Sequence, residues 1–141
     1  MNGDISSYKR KISKHYNREA HAYVGRRPWI RTYILLRIIN FIKSLLDDNR
    51  IILNVGCGPG WLERLLADTN DFVSIDVPPK MVELATKCSK THALIDDGEH
   101  LPFRSGSFDV IITSRSIKFM NPESLMKEVT KNSSLNLLKS S

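Results

Sequence analysis

The chain has 141 residues, enough material for one core of ordinary domain size and not for two. Hydrophobic residues make up 41% and charged residues 26%, the balance of a folded globular protein rather than a disordered or fibrous one. The net charge of +6 is uneven, since residues 1–50 hold eleven Lys/Arg against four Asp/Glu and residues 51–141 hold ten against eleven.

Residues 1–28 are polar and basic with scattered aromatics, Tyr8, Tyr16 and Tyr23, and predict one or two short surface helices ending at the turn-like GRRPW. Between Trp29 and Leu46 apolar residues recur at three and four, which predicts a helix. Its buried face is expected to carry Ile34, Ile38, Ile42 and Leu45, flanked by Leu35, Ile39 and Leu46, with Arg37, Asn40 and Ser44 opposite. Arg37, Asn40 and Lys43 also break this stretch, so no run of about 20 uncharged residues is present to span a bilayer. The start MNGDISSYKR lacks the apolar segment of a secretory signal, and the expected location is the cytoplasm.

Beyond DDNR the pattern changes. IILNV reads as a buried strand, GCGPG as a loop and WLERLLAD as a helix. DFVSIDV is a second strand, PPKMVELATKCSK a proline-opened helix, THALIDD a third strand and FDVIITS a fourth. NPESLMKEVTKNSS is a helix with Asn121 as N-cap and Pro122 at its first position, and LNLL at 135–138 is the expected fifth strand. Strands alternating with helices predict an α/β fold, a mostly parallel sheet of about five strands with helices on both faces and an N-terminal helical lid. Residues 1–48 would be lid and first helix, and residues 49–141 the α/β core of the same domain.

Glycines at 56, 58 and 60 follow the first strand and precede a helix. They let the backbone turn sharply and approach a ligand, while the helix start offers free N–H groups. Asp76 ends the next strand 20 residues beyond Gly56, placed to accept hydrogen bonds from both ribose hydroxyls of an adenosine ligand. A pyrophosphate site is disfavoured, because Trp61 stands where a dinucleotide loop needs its third glycine; a P-loop is excluded, because no GK[ST] follows. Cys57 and Cys88 form no CxxC pair and no zinc spacing, so neither a metal site nor a disulfide framework is expected. Cys57 reads as a small packing residue, and Asp109 as a structural residue at the start of strand four.

In these motifs the chain resembles the class I S-adenosylmethionine-dependent methyltransferases of the ubiquinone/menaquinone-biosynthesis-like group, which have a Rossmann-like fold. ILNVGCGPGW is similar to that family's first motif, SIDVPPKMVELA to its second and IDDGEHLPFRSGSFDVIITS to its third. HYNREAHAYVG resembles the N-terminal segment that folds over the cofactor. The resemblance implies S-adenosylmethionine as cofactor and S-adenosylhomocysteine as product. Gly56, Cys57, Gly58 and Gly60 would form the loop. Asp76 would hold the ribose, with Val77 on the adenine and Met81 beside it. Asp97 would face the adenine amino group, flanked by Gly98 and Glu99, and Ser114 would lie at the methionine end; Asp96 beside Asp97 leaves open which acid points inward. Departures are Pro78, where the family often has a hydroxyl cap, and the absence of a histidine in Ser116–Met120.

Methyl transfer from a sulfonium needs alignment and water exclusion rather than a covalent intermediate, and no catalytic residue is assigned. Asp4, Glu19, Tyr16, Tyr23 and Trp29 are candidates to face the sulfonium; His15, His21, His92 and His100 read as surface or partly buried polar groups. The family's sheet usually has seven strands, so the chain reads as shortened at its C-terminus. It is then either a minimal enzyme acting on a small molecule or RNA, or a cofactor-binding subunit completed by a second copy or partner chain at an open sheet edge. The basic arm of Lys9, Arg10, Lys11, Lys14, Arg18, Arg26, Arg27 and Arg31 reads as a solvated helix surface or as a phosphate-attracting nucleic-acid module.

Overall fold

β1 (Ile51–Val55) takes an interior place in a parallel sheet ordered β3-β2-β1-β4, with β2 at Asp71–Asp76, β3 at Thr91–Ile95 and β4 at Val110–Thr113. This is the computed structural model of the chain, and it describes residues 7–25, 29–87, 91–113 and 116–134, the side chains of 21–25 excepted. The apolar, β-branched runs IILNV and VIIT suit strands covered on both faces. Ile52, Phe72, Val110 and Ile112 point to one face; Leu53, Val55, Val73, Ile75 and Ile111 point to the other.

Five helices accompany the sheet among the described residues: α1 (Ser7–Gly25), α2 (Trp29–Leu45), α3 (Trp61–Leu66), α4 (Pro79–Thr86) and α5 (Pro122–Asn132). On the first face Leu35, Ile39 and Ile42 of α2 pack with Leu62 and Leu66 of α3 over Ile52 and Phe72. The second face is covered by Leu101, Phe103 and Phe108, a segment tied to α5 where Leu101 N–H donates to Glu128 at 3.0 Å. Asn121 caps α5, its Oδ1 accepting from Ser124 N–H at 3.1 Å, and Pro122 follows it as expected. Asp109 takes the structural role read for it: its carboxylate accepts from Ile51 N–H at 2.9 Å while its own N–H donates to Ile51 O, also at 2.9 Å.

Three expectations change. Residues 7–25 form one helix of 19 residues, longer than the one or two short helices expected. The sheet of the described residues has four strands, one fewer than expected, and the LNLL segment lies outside the described residues. An isolated parallel bridge, Phe108 to Ser133, brings the chain alongside the start of β4 just before it. In α2 the inward stripe is Leu35, Ile39, Ile42 and the adjoining Leu46, while Ile34 and Leu45 are 42% and 68% exposed. Apolar residues circle most of this helix, so spacing alone could not select the stripe that meets α3 and β1. No described helix is long and apolar enough to cross a membrane.

The connections β1-α3-β2 and β2-α4-β3 step toward one side of the sheet, whereas β4 returns to the other side of β1. The reversal leaves a crevice at the carboxyl ends of β1, β2 and β4, where parallel sheets hold ligands. Phe72 is 1% exposed at the centre of the first face, and Phe72→Ala is expected to cost about 3–5 kcal/mol in urea unfolding, against about 1 kcal/mol for Asn121→Ala. Equal losses would contradict this packing.

Candidate active site

The crevice is built first from backbone. β1 ends in a loop where Gly56 has φ 76° and a Cβ would collide with the Ser116 side chain; Gly60, at φ 84°, caps α3 with the site of a Cβ only 3.2 Å from Ala85 Cα. Both positions require glycine, by conformation and by space. The loop is fastened to β2: Gly58 N–H donates to Asp76 Oδ2 at 2.7 Å, and Val77 N–H donates to Asp76 Oδ1 at 2.8 Å.

One cavity gathers most of the residues singled out in the sequence. Gly56, Cys57, Gly58, Asp76, Val77, Met81 and Asp97 line it, and Lys9, Ile12, Ser13 and Tyr16 of α1 close one side. Asp97 is on this wall and Asp96 is not; the Asp96 carboxylate accepts from Asp97 N–H at 2.7 Å. Gly60, Gly98 and Glu99 stand behind the lining. A Cβ on Gly98 would come within 2.5 Å of Val55 Cγ1, so close packing explains that glycine. Glu99 binds Lys9 and accepts from Asn121 N–H. Ser114, Asp4 and Cys88 lie outside the described residues, as do the side chains of His21 and Tyr23. Of the groups considered for the sulfonium, Tyr16 reaches the cavity, whereas Glu19 is exposed and Trp29 is 79% exposed. His15, His92 and His100 are on the surface. Among the described residues no cluster of His, Cys, Asp and Glu is placed to hold a metal ion.

Several residues of the site were not selected from sequence. Asn54 is buried on β1, lines the cavity and donates through Nδ2 to Glu63 Oε1 at 2.7 Å; its Oδ1 has no hydrogen-bond partner among the described residues. Glu63, fully buried on α3, also accepts from Ser74 Oγ at 2.6 Å, so one carboxylate ties α3 to β1 and β2. The signal for Glu63 was present as an acid among the apolar positions of WLERLL. Lys9 had no such signal within its basic run. Its ammonium donates to both oxygens of Asp97, at 2.8 and 2.9 Å, and to Glu99, joining α1 to the far wall of the cavity.

Burial pushes the Asp76 carboxyl up to about 6, against the lowering effect of the Gly58 and Val77 N–H groups and with a small upward push from Glu63. Burial, with the negative charges of Asp76 and Glu63, also pushes the Cys57 thiol far up, so it remains a thiol and supplies no thiolate nucleophile. Burial alone would lower the Lys9 ammonium, but its hydrogen bonds and charge contacts with Asp97 and Glu99 outweigh this and raise it.

The cavity fits S-adenosylmethionine on two counts. An ionised carboxylate has about four acceptor positions and Asp76 gives two to backbone, leaving capacity for ribose hydroxyls. The buried Asn54 Oδ1 calls for a donor, as a ligand hydroxyl or ammonium supplies. Because Asp76 is protonated below about pH 6 and ionised above it, affinity for S-adenosylhomocysteine is expected to rise as pH rises through that value. Calorimetry should find binding about tenfold weaker at about pH 5 than on the plateau above about pH 7. A flat profile would contradict the role of this carboxyl.

Residues 53–132 match the family model described as a methyltransferase domain. The chain is 32% identical over 108 residues to the 18S rRNA (guanine(1575)-N(7))-methyltransferase of Saccharomyces cerevisiae, covering 72% of this chain and 38% of that protein. It is 28% identical over 138 residues to the malonyl-[acyl-carrier protein] O-methyltransferase of a Marinomonas species, covering 89% and 49%. It thus spans less than half the length of either relative. The structure of phosphoethanolamine N-methyltransferase 1 of Haemonchus contortus, solved with phosphoethanolamine and S-adenosylhomocysteine, superposes with a TM-score of 0.70 at 16% identity, covering 87% of this chain and 28% of that one. With more than half of its residues matched by that model and a parallel sheet flanked by helices, the chain belongs to the methyltransferase domain family and has the class I, Rossmann-like α/β fold.

Proposed function

We propose that the chain binds S-adenosylmethionine in the cavity at the ends of β1 and β2 and serves its transfer of a methyl group to an RNA or small-molecule acceptor, in the cytoplasm and within one domain comprising residues 1–141. The observation that carries this is the clasp between Gly58 N–H and Asp76 on the wall of a cavity that Asn54, with its unsatisfied Oδ1, also lines. In this reading Asp76 accepts from the ribose hydroxyls, Val77 and Met81 cover the adenine, and Asp97 accepts from its amino group. Gly56, Cys57 and Gly58, with Gly60 behind them, form the floor under the methionine end, to which the family resemblance assigns Ser114; Gly98 and Glu99 hold the adenine wall from behind. The relatives' names support both acceptor classes, one acting on rRNA and one on an acyl carrier protein.

When bound, the cofactor supplies an activated methyl group on a good leaving group, and S-adenosylhomocysteine remains. The chain's own part is to fix the ligand and exclude water. Tyr16, held edge-on to Phe119 at 6.3 Å between ring centres, and Ile12 give an apolar side to the cavity. A second copy or partner chain beside β4, one of the two outer strands among the described residues, belongs to the same proposal, since an outer strand offers backbone N–H and C=O groups to a further strand.

Titration calorimetry is expected to show S-adenosylmethionine and S-adenosylhomocysteine binding with sub-millimolar Kd, and Asp76→Ala to weaken both by at least about tenfold, the worth of one or two charge-assisted hydrogen bonds. Absence of binding, or an unchanged Kd in the variant, would overturn the assignment.

A further inference from the structure

α1 has two faces with different work. Lys9, Ile12, Ser13 and Tyr16 face the cavity, and Ala20 packs with Met81 and Leu84 of α4, while Asn17 Oδ1 accepts from Lys80 N–H at 2.9 Å. On the other side Arg10, Lys11, Lys14 and Arg18 are exposed, spaced at three and four so that they share one face of the helix. Arg10, Lys14 and Arg18 follow one another about 6 Å apart along the axis.

This row opposes the stability of its own helix, because like charges at i and i+4 repel. Among the described residues Lys11, Lys14 and Arg18 have no ion-pair partner, and the helix contains a single acid, Glu19. Among the described residues nothing offsets that repulsion for these three cations. An external anion would. A compact anion would engage one or two of the cations; a chain with regularly repeated charges engages the whole row. The stripe of Arg10, Lys11, Lys14 and Arg18 is itself wholly cationic, whereas protein interfaces depend on aromatic anchors and nucleic-acid interfaces are polar and strongly positive.

We propose that the outer face of α1 is an RNA-binding surface that contacts phosphates through Arg10, Lys11, Lys14 and Arg18, and so delivers an RNA acceptor to the cavity that the inner face of the same helix closes. The part played by the cavity rests on the methyltransferase reading given above; the surface itself does not. Contacts of this kind position the strand without reading its sequence.

The test is fluorescence anisotropy of a labelled single-stranded RNA oligonucleotide over a series of potassium chloride concentrations, for the full chain and for the triple variant Lys11→Gln, Lys14→Gln, Arg18→Gln, with S-adenosylhomocysteine calorimetry on both. Wild type should bind with log K falling linearly against log salt. The variant should bind at least about tenfold more weakly at low salt, with a slope shallower by about 2, the value for three lost phosphate contacts on a single strand. Its affinity for S-adenosylhomocysteine should be unchanged. Lack of RNA binding by the wild type, or equal binding and equal slopes in both proteins, would overturn the proposal, as would capture of an acidic polypeptide by this face in place of RNA. A wild type that binds RNA as expected and neither S-adenosylmethionine nor S-adenosylhomocysteine would leave the surface standing and overturn its role in presenting an acceptor.

Discussion

The Asp76 carboxylate is held at the junction of two strands, receiving Gly58 N–H from the loop after β1 and Val77 N–H from the end of its own strand. Those bonds depend on two constraints being met together. β1 and β2 must run parallel and adjacent, so that their carboxyl ends coincide, and the loop must fold back with Gly56 and Gly60 in left-handed conformations. Neither a register shift between the strands nor a side chain at Gly56 is compatible with the clasp. The cavity, the path of α3 and the place of Asp76 on the cavity wall all follow from it.

Behind the clasp, a second set of polar contacts keeps the elements from sliding. Glu63 takes hydrogen bonds from Asn54 and Ser74, and Ser74 Oγ lies 2.8 Å from Thr91 Oγ1, so α3, β1, β2 and β3 are linked in sequence through buried polar groups. Such a network confers geometric definition only while its members stay satisfied. Two of its acceptors, Asn54 Oδ1 and Glu63 Oε2, are buried with no hydrogen-bond partner among the described residues, and Asn54 lines the cavity. Elsewhere on the cavity wall Lys9 neutralises Asp97 and Glu99, two neighbouring acids that would otherwise repel each other. Lys9 therefore sets the electrostatics of that wall and, with Asn17 and Ala20 packed on α4, helps hold the helix over it.

Local chemistry was legible in the sequence where cause and effect lie within a few residues. The glycine loop, the acid at the end of β2, the Asn121 cap and the four strands all follow from short patterns. The inward face of α2 was not legible, because its apolar residues occupy more than one stripe and the choice among them is made by α3 and β1. Lys9 was hidden for a related reason: its partner Asp97 lies 88 residues away, and nothing in a run of lysines and arginines distinguishes the one that turns inward. Asn54 and Glu63 are nine residues apart across a strand, a loop and the start of a helix, a pairing that only the folded geometry makes visible.

The central claim is that the glycine loop and Asp76 together form the cofactor seat. Its most direct measurement is a backbone amide NMR titration of the chain with S-adenosylhomocysteine. The largest shifts should fall on Gly56, Gly58, Val77 and Asp97, with the elements distant from the cavity, including the end of α5, unmoved. Shifts confined to another surface, with the Gly58 and Val77 amides unchanged at saturation, would contradict the account.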